Sequence, residues 1–267
     1  MRVHVVSDVH GNAEALARAG DRADALIVLG DLVDYVDYRD PTRGILGRVL
    51  GAEVSAEFGR LRAAGAPGEF RAYAQRVWNG VPDPAAVVGE AVREQYAALF
   101  GAMTAPTYAI PGNVDLVDLW PEFTVTDHAA GPVVAADGRV LDIGGLRFGF
   151  LGGVPLPPGV ERRSSGPWTP HLLTAEVYAQ RAAALRGVDV LCSHAPPAVP
   201  ELAYDVVTRR GESGSTALLE LIARERPRAA LFGHVHQPLA PRVRVGPTEC
   251  VNVGHFRRTG VPHVLWT

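Results

Sequence analysis

The chain has 267 residues, 47% hydrophobic and 21% charged, enough to bury a large core, and one domain carrying an insertion is the expected arrangement. A formal net charge of -3 excludes a general attraction to phosphate backbones, so no general nucleic-acid binding is expected, while a small phosphate-bearing substrate stays open. No lysine occurs, so every basic group is arginine; this suits fork-shaped recognition of phosphate or carboxylate and is equally what a GC-rich coding bias produces.

The first segment reads strand, turn, helix, strand: Val3 to Ser7, Asn12 as a cap on Ala13 to Ala19, then Ala25 to Leu29. A polar stretch from Asp34 to Arg43 leads into helical patterns at Ile45 to Ala64, Phe70 to Val77 and Ala85 to Phe100. Connections this long carry their own structure or a function. Residues 34–104 therefore read as a mostly helical insertion, placed to cap a site, with its own small core around Leu46, Leu50, Phe58, Leu61, Tyr73, Val77, Trp78, Val92 and Tyr96. Thr107 to Ile110 is the next strand. Arg139 to Ile143, Gly144-Gly145 and Leu146 to Leu151 read as a hairpin that starts a second sheet, because paired glycines permit the positive φ of such turns.

Val154 to Pro170, with Arg162, Arg163 and Trp168, is rich in Pro and Gly and reads as an irregular loop. Alternation then returns with helix Thr174 to Leu185, strand Val188 to Cys192, helix Thr216 to Arg226 capped by Ser213 or Ser215, and strand Ala229 to Phe232. Three short strands follow, near Arg242 to Val245, Glu249 to Val253 and Pro262 to Trp266. The expected fold class is α/β: two mixed β-sheets packed face to face and flanked by helices, with a helical insertion. Cys192 and Cys250 lie in apolar runs without metal-ligand spacing and read as reduced core residues. No leader pattern or long apolar run is seen, so a cytoplasmic protein without membrane contact is expected, its oligomeric state unread.

Chemistry concentrates at the ends of five of these strands. Asp8-Val9-His10, Gly30-Asp31, Gly112-Asn113, Ser193-His194 and Gly233-His234-Val235-His236 each follow an apolar run, and ligands of open α/β sheets collect at the carboxyl ends of strands. Residues two apart on a strand point the same way, so Asp8 with His10, and His234 with His236 on a short turn, can each grip one ion. Asp31 is placed to bridge, since two cations roughly 3.5 to 4 Å apart need an anion between them. Mixed oxygen and nitrogen donors without thiolate suit manganese, iron, nickel, cobalt or zinc.

The order D-x-H, G-D, G-N, H, G-H-x-H resembles the calcineurin-like metallophosphoesterase superfamily over most of the chain outside the insertion. That resemblance implies a sandwich fold and two divalent metal ions, manganese first among them. Asp8, His10, Asp31 and His236 would hold one, and Asp31, Asn113, His194 and His234 the other. It also implies hydrolysis of a small phosphate ester by a hydroxide bridging both metals, with Asp31, Asn113 and His194 counted as catalytic. One departure stands out: the family usually has His after the Gly-Asn pair, whereas this chain reads Gly112-Asn113-Val114-Asp115. Without that proton donor, diesters of small or cyclic-nucleotide type and activated esters are favoured over alkyl monoesters. The text after Gly30-Asp31 departs from the Ser/Thr protein phosphatase pattern, which is disfavoured. A phosphomonoesterase acting on a small activated substrate and a noncatalytic binding scaffold are the alternatives.

Several residues carry two readings. Gly11 and Asn12 serve either a phosphate contact or simple turning and capping. Asp115 either orients a water or the Asn113 amide, or caps its turn. His255, Arg257 and Arg258 are either a substrate clamp or a solvated turn, and Tyr35, Asp37 and Tyr38 either line the pocket or merely connect. Arg62, Arg71, Arg76 and Trp78 form either a pocket wall or the insertion's own packing. His4, His128, His171 and His263 read as structural or surface residues.

Overall fold

Four short strands, at residues 2–6, 25–28, 190–193 and 229–232, are buried along nearly their whole length. Such strands need cover on both faces, which a layered arrangement supplies. A computed structural model describes residues 1–65, 67–160 and 166–267; Arg162 and Arg163 lie outside the described residues.

In chain order the strands are β1 Arg2–Val6, β2 Ala25–Val28, β3 Thr107–Ala109, β4 Val133–Ala135, β5 Val140–Ile143, β6 Leu146–Leu151, β7 Val154–Pro155, β8 Leu172–Leu173, β9 Val190–Ser193, β10 Tyr204–Asp205, β11 Arg210–Gly211, β12 Ala229–Phe232, β13 Arg242–Val245, β14 Thr248–Asn252 and β15 His263–Trp266. The helices are α1 Ala13–Ala19, α2 Gly44–Leu50, α3 Ala52–Ala64, α4 Pro67–Asn79, α5 Pro84–Gly101, α6 Ala175–Ala184, α7 Pro200–Ala203, α8 Thr216–Glu225 and α9 Phe256–Thr259.

One sheet runs β15-β1-β2-β3-β4 and the other β13-β14-β12-β9-β6-β5. Neighbours within β1 to β4 and within β14-β12-β9-β6 are parallel, and β15, β13 and β5 add antiparallel edges. Alternation along each strand sorts side chains into layers. Val3, Val5, Ile27, Leu29 and Ile110 of the first sheet meet Phe148, Phe150, Val190, Cys192 and Leu231 of the second in a core between the sheets. The opposite face of the second sheet, with Leu191, Ala230, Phe232 and Cys250, packs under Tyr178 and Ala182 of α6 and Leu218, Leu221 and Ile222 of α8. Val6, Leu26, Val28 and Ala109 face α1 and the insertion. This is the expected pair of mixed sheets flanked by helices.

Two differences from the sequence reading follow from tertiary context. The helical pattern over 45–64 is two helices, parted at Gly51. The loop expected over 154–170 contributes β7, which pairs with β8. The last strand, whose sheet the sequence reading left open, joins the first sheet beside β1, with Arg2 opposite Trp266. Asn12, Thr174 and Ser215 cap α1, α6 and α8 through their side-chain oxygens.

The insertion's apolar residues do not stand apart: Phe58, Trp78, Val92 and Tyr96 pack in one cluster with Leu16, Val28 and Val33. Tyr96 is its polar anchor. Its buried hydroxyl accepts from Leu116 N at 2.9 Å and Trp120 Nε1 at 3.1 Å and donates to Asp115 at 3.3 Å. Tyr96→Phe would strand two buried donors, so urea unfolding is expected to show a loss of about 2–4 kcal/mol; a loss under about 0.5 kcal/mol would mean the network adds nothing.

Candidate metal centre

The five strand ends converge where the two sheets meet. Backbone bonds from Asp8 N to Gly30 O (3.1 Å) and His10 N to Asp31 O (2.9 Å) zip together the loops after β1 and β2, and Gly233 N donates to His194 O (3.1 Å) across the loops after β12 and β9. Asp8 and His10 lie beyond the end of β1, so strand alternation is not what makes them converge. They sit at φ 58° and 41°, and Asp31 and His234 at 52° and 68°. Left-handed backbone costs an ordinary residue on the order of 1–2 kcal/mol, and such strain gathers at functional sites. The four left-handed residues are themselves candidate ligands, so the backbone twist falls at the positions that deliver them.

Two close approaches need glycine. A Cβ at Gly112 would lie 2.2 Å from Asp31 Oδ1, and one at Gly233 would lie 2.4 Å from Asp8 Oδ2 and 1.8 Å from Ser7 Oγ.

All seven candidate ligands fall within this junction. His236 Nε2 is 3.3 Å from Asp8 Oδ1 and 3.1 Å from His10 Nε2. Asp31 reaches both halves, with Oδ2 3.9 Å from His10 Nε2 and Oδ1 3.4 Å from His194 Nε2. His194 Nε2 is also 3.1 Å from the Asn113 amide oxygen, and the His194 and His234 rings meet edge to face at 5.2 Å. Among the described residues, three groups of side chains, Asp8-His10-Asp31, Asp31-His194-His234 and His10-His236-His255, bring their donor atoms close enough to hold a metal ion.

Hydrogen bonds fix these donors. His194 Nδ1 lies 2.7 Å from Leu29 O and His10 Nδ1 3.2 Å from Val33 O. A carbonyl only accepts, so each Nδ1 carries the hydrogen and each Nε2 turns a lone pair to the centre, as metal-ligating imidazoles do. Asp8 Oδ2 accepts from His234 N at 3.0 Å, while buried Asp8 Oδ1 accepts no hydrogen bond. A buried carboxylate oxygen without a donor is costly unless a cation meets it. Burial opposes ionisation of Asp8, but the His236 imidazole and its neighbours more than offset this and hold the carboxyl well below the ordinary range. Burial brings His234 down to about 4, so it is neutral near pH 7 and open to ligation. These donor types and the orphaned oxygen fit divalent cations.

Around this centre the structure decides several open readings. Asp115 is buried and accepts from Leu32 N, Val33 N and Gly112 N, tying the loops after β2 and β3 together rather than facing the centre. Burial and then the Asp31 charge push its carboxyl up to about 6. Arg257 pairs with Asp34 at 2.8 Å and with Asp37, so it is committed to holding the start of the insertion, whereas Arg258 is exposed. Asn12 caps α1 and donates to Arg257 O. Tyr35 stacks on Trp168 at 4.4 Å, and Trp168 Nε1 donates to Val114 O. Arg62 lies over the Tyr38 ring and Arg76 over Tyr73, and Trp78 is buried, so these side chains pack within the insertion, while Arg76 also borders an open cavity with Ala72, Gln75 and Asn79. His4 contacts Ala19 O, as a structural histidine would. His171 lies nearer than expected, donating its backbone N–H to Asn113 O at 2.8 Å. The sequence reading weighed Asp115 and Arg257 as site residues but not as braces between loops, and it did not foresee the close approaches at Gly112 and Gly233.

A two-sheet α/β sandwich with a histidine and aspartate centre at its strand ends defines a metallophosphoesterase fold. The calcineurin-like phosphoesterase family model matches residues 1–238, and the chain belongs to that family. Among solved structures, TT1561 of Thermus thermophilus is similar over 98% of this chain and 97% of its own, at 16% identity and TM-score 0.55. Another is similar over 96% of this chain and 91% of its own, at 15% identity and TM-score 0.57. Phosphopantetheinyl hydrolase (PptH) from Mycobacterium tuberculosis is more distant, at 13% identity and TM-score 0.48 over 96% and 91%. The first two likenesses, at 16% and 15% identity, speak to fold alone. Curated proteins give no match. No helix among the described residues is long and apolar enough to cross a membrane.

Gly233→Ala places a methyl group against Asp8. Manganese affinity by titration calorimetry is expected to fall at least about tenfold, the scale seen when ligand-orienting groups are lost. Unchanged affinity would mean that Asp8 is not a ligand.

Proposed function

We propose that this protein is a binuclear metal-dependent phosphodiesterase acting on small or cyclic-nucleotide-type diesters. The observation that carries the reading is Asp31, whose two carboxylate oxygens face imidazoles on opposite sides, His10 and His194. Asp8, His10, Asp31 and His236 would hold one cation, and Asp31, Asn113, His194 and His234 the other. Manganese is the first choice, with iron, zinc, nickel or cobalt as alternatives of the same donor preference. When bound, the two cations supply Lewis acidity and lower the pKa of a water molecule at the site.

The chain's own residues do the rest. Asp31, Asn113 and His194 form the face against which the phosphoryl group is positioned. The carbonyls of Val33 and Leu29 lock the His10 and His194 rings. The side chain of Val114 packs against the apolar cluster of the first sheet and offers no proton. Lack of a positioned general acid typically forfeits roughly 10²–10⁴-fold, most with poor leaving groups, which favours diesters and activated esters. The insertion at 34–104 within a single domain of 1–267 is the segment we assign to limiting access, and Arg257 anchors its first residues through Asp34 and Asp37.

Manganese-dependent hydrolysis of a matched aromatic phosphodiester and phosphomonoester tests this reading, with His234→Ala as control. Diester turnover is expected to exceed monoester turnover, and chelator or the His234→Ala change to abolish both. Preferential monoester turnover would overturn the diester assignment, and an absence of bound metal would leave a noncatalytic scaffold.

Val114→His supplies the missing imidazole. Its expected effect is a monoester-to-diester rate ratio raised by about tenfold or more; an unchanged ratio would detach substrate choice from position 114.

A further inference from the structure

One imidazole at the centre has no task in the ligand set above. His255 follows β14 and is held beside the ligands from three directions. Asn252 accepts from Gly254 N at 2.9 Å and donates to Val235 O at 2.8 Å, tying the turn before His255 to the loop that carries His234 and His236. Phe256 N and Arg257 N donate to Ser7 O and Asp8 O at 3.0 and 2.9 Å, tying the residues after it to the loop after β1. The ring lies nearly parallel to His236, at 3.9 Å and 19°, and edge-on to His10, at 5.7 Å and 89°. Its Nε2 is buried and has no hydrogen-bond partner among the described residues.

A nitrogen of His255 falls within 4.8 Å of nitrogens of both His10 and His236, which raises the question of a third imidazole ligand. The ring planes argue against it. Coordination uses the in-plane lone pair of an imidazole, and two nearly parallel rings stacked face to face cannot aim such lone pairs at one point. A cation on the in-plane lone pair of His236 would lie outside the plane of the His255 ring. What His255 can reach is an oxygen beside that cation. Nearby groups do not compete for the role: Arg257 is engaged by Asp34 and Asp37, and Val114 packs in the apolar cluster.

We propose that His255 is a substrate-contacting residue that donates an imidazole N–H to a phosphoryl oxygen of the bound ester. This rests on the phosphoesterase reading and adds a contact that the seven candidate ligands do not provide. A neutral imidazole is sufficient, since one N–H is all the bond requires.

Two substitutions separate donation from packing. His255→Phe keeps a ring to stack on His236 and removes the donor, whereas His255→Gln removes the ring and keeps an N–H. Manganese content by elemental analysis, inorganic phosphate affinity by titration calorimetry on the metal-loaded protein, and diester kinetics are measured on both, with circular dichroism to establish folding. Both variants are expected to keep the wild-type manganese content. His255→Phe is expected to bind phosphate about tenfold or more weakly, the scale of a lost hydrogen bond to a charged group, and His255→Gln to stay within about threefold of wild type. Manganese content falling in both variants would make His255 a ligand and overturn the proposal. Phosphate affinity kept in His255→Phe and lost in His255→Gln would reduce it to packing, and equal affinity in all three proteins would leave it no contact. Wild-type protein that binds neither manganese nor phosphate would overturn the underlying phosphoesterase reading together with this one, whereas the preceding outcomes leave that reading standing.

Discussion

Two carboxylates are kept from water where the sheets meet, and one of their oxygens, Oδ1 of Asp8, receives no hydrogen bond from the protein. Desolvated anions are expensive, and their cost falls only when positive charge is brought to them. Imidazoles from both sheets gather around this pair, and the loops that deliver them adopt left-handed backbone at four ligand positions. The strain is tolerated because three apolar clusters, between the sheets and on their outer faces, hold every strand that feeds the site. The centre is therefore held in an unfavourable local geometry by a rigid frame, and a cation is the partner that its charge distribution lacks.

Much of this was legible in the sequence because the ligands are tied to strand ends. Apolar runs such as Val3 to Val6 and Ala229 to Phe232 are short and flanked by turn residues, so their termini could be placed within a residue or two. Fold class followed from the alternation of elements. What escaped detection was relational. Nothing in His263 to Trp266 says that this strand pairs with β1 rather than with its chain neighbours. The double role of Arg257, and the part of Asp115 as a brace rather than a member of the centre, depend on partners far away in sequence. Strand alternation was the wrong reason for the convergence of Asp8 and His10: both lie past the strand, and the backbone twist that orients them is invisible in residue types other than glycine.

The insertion is coupled to the centre by polar groups as well as by packing. Asp115 gathers N–H groups of Leu32, Val33 and Gly112 and the hydroxyl of Tyr96 on α5. Arg257 joins the last helix to Asp34 and Asp37 at the start of the insertion. A buried charge that serves several loops at once is worth more as a constraint on geometry than as a source of stability. Displacing the insertion would therefore disturb the loops after β2 and β3, which present Asp31 and Asn113.

The pairing of β1 with β15 also bears on how the chain reaches this state. Residues that are neighbours in the first sheet, such as Arg2 and Trp266, stand at opposite ends of the sequence. Contacts of such separation raise contact order and slow folding, because a large loop must close before they yield any energy. Until then β1 has an open edge, and open edges invite pairing with other chains. The strand that delivers Asp8 and His10 is thus the one whose edge partner lies furthest from it along the sequence. α1 and the insertion, nearer in sequence, cover one face of this strand, while its outer edge depends on the distant β15.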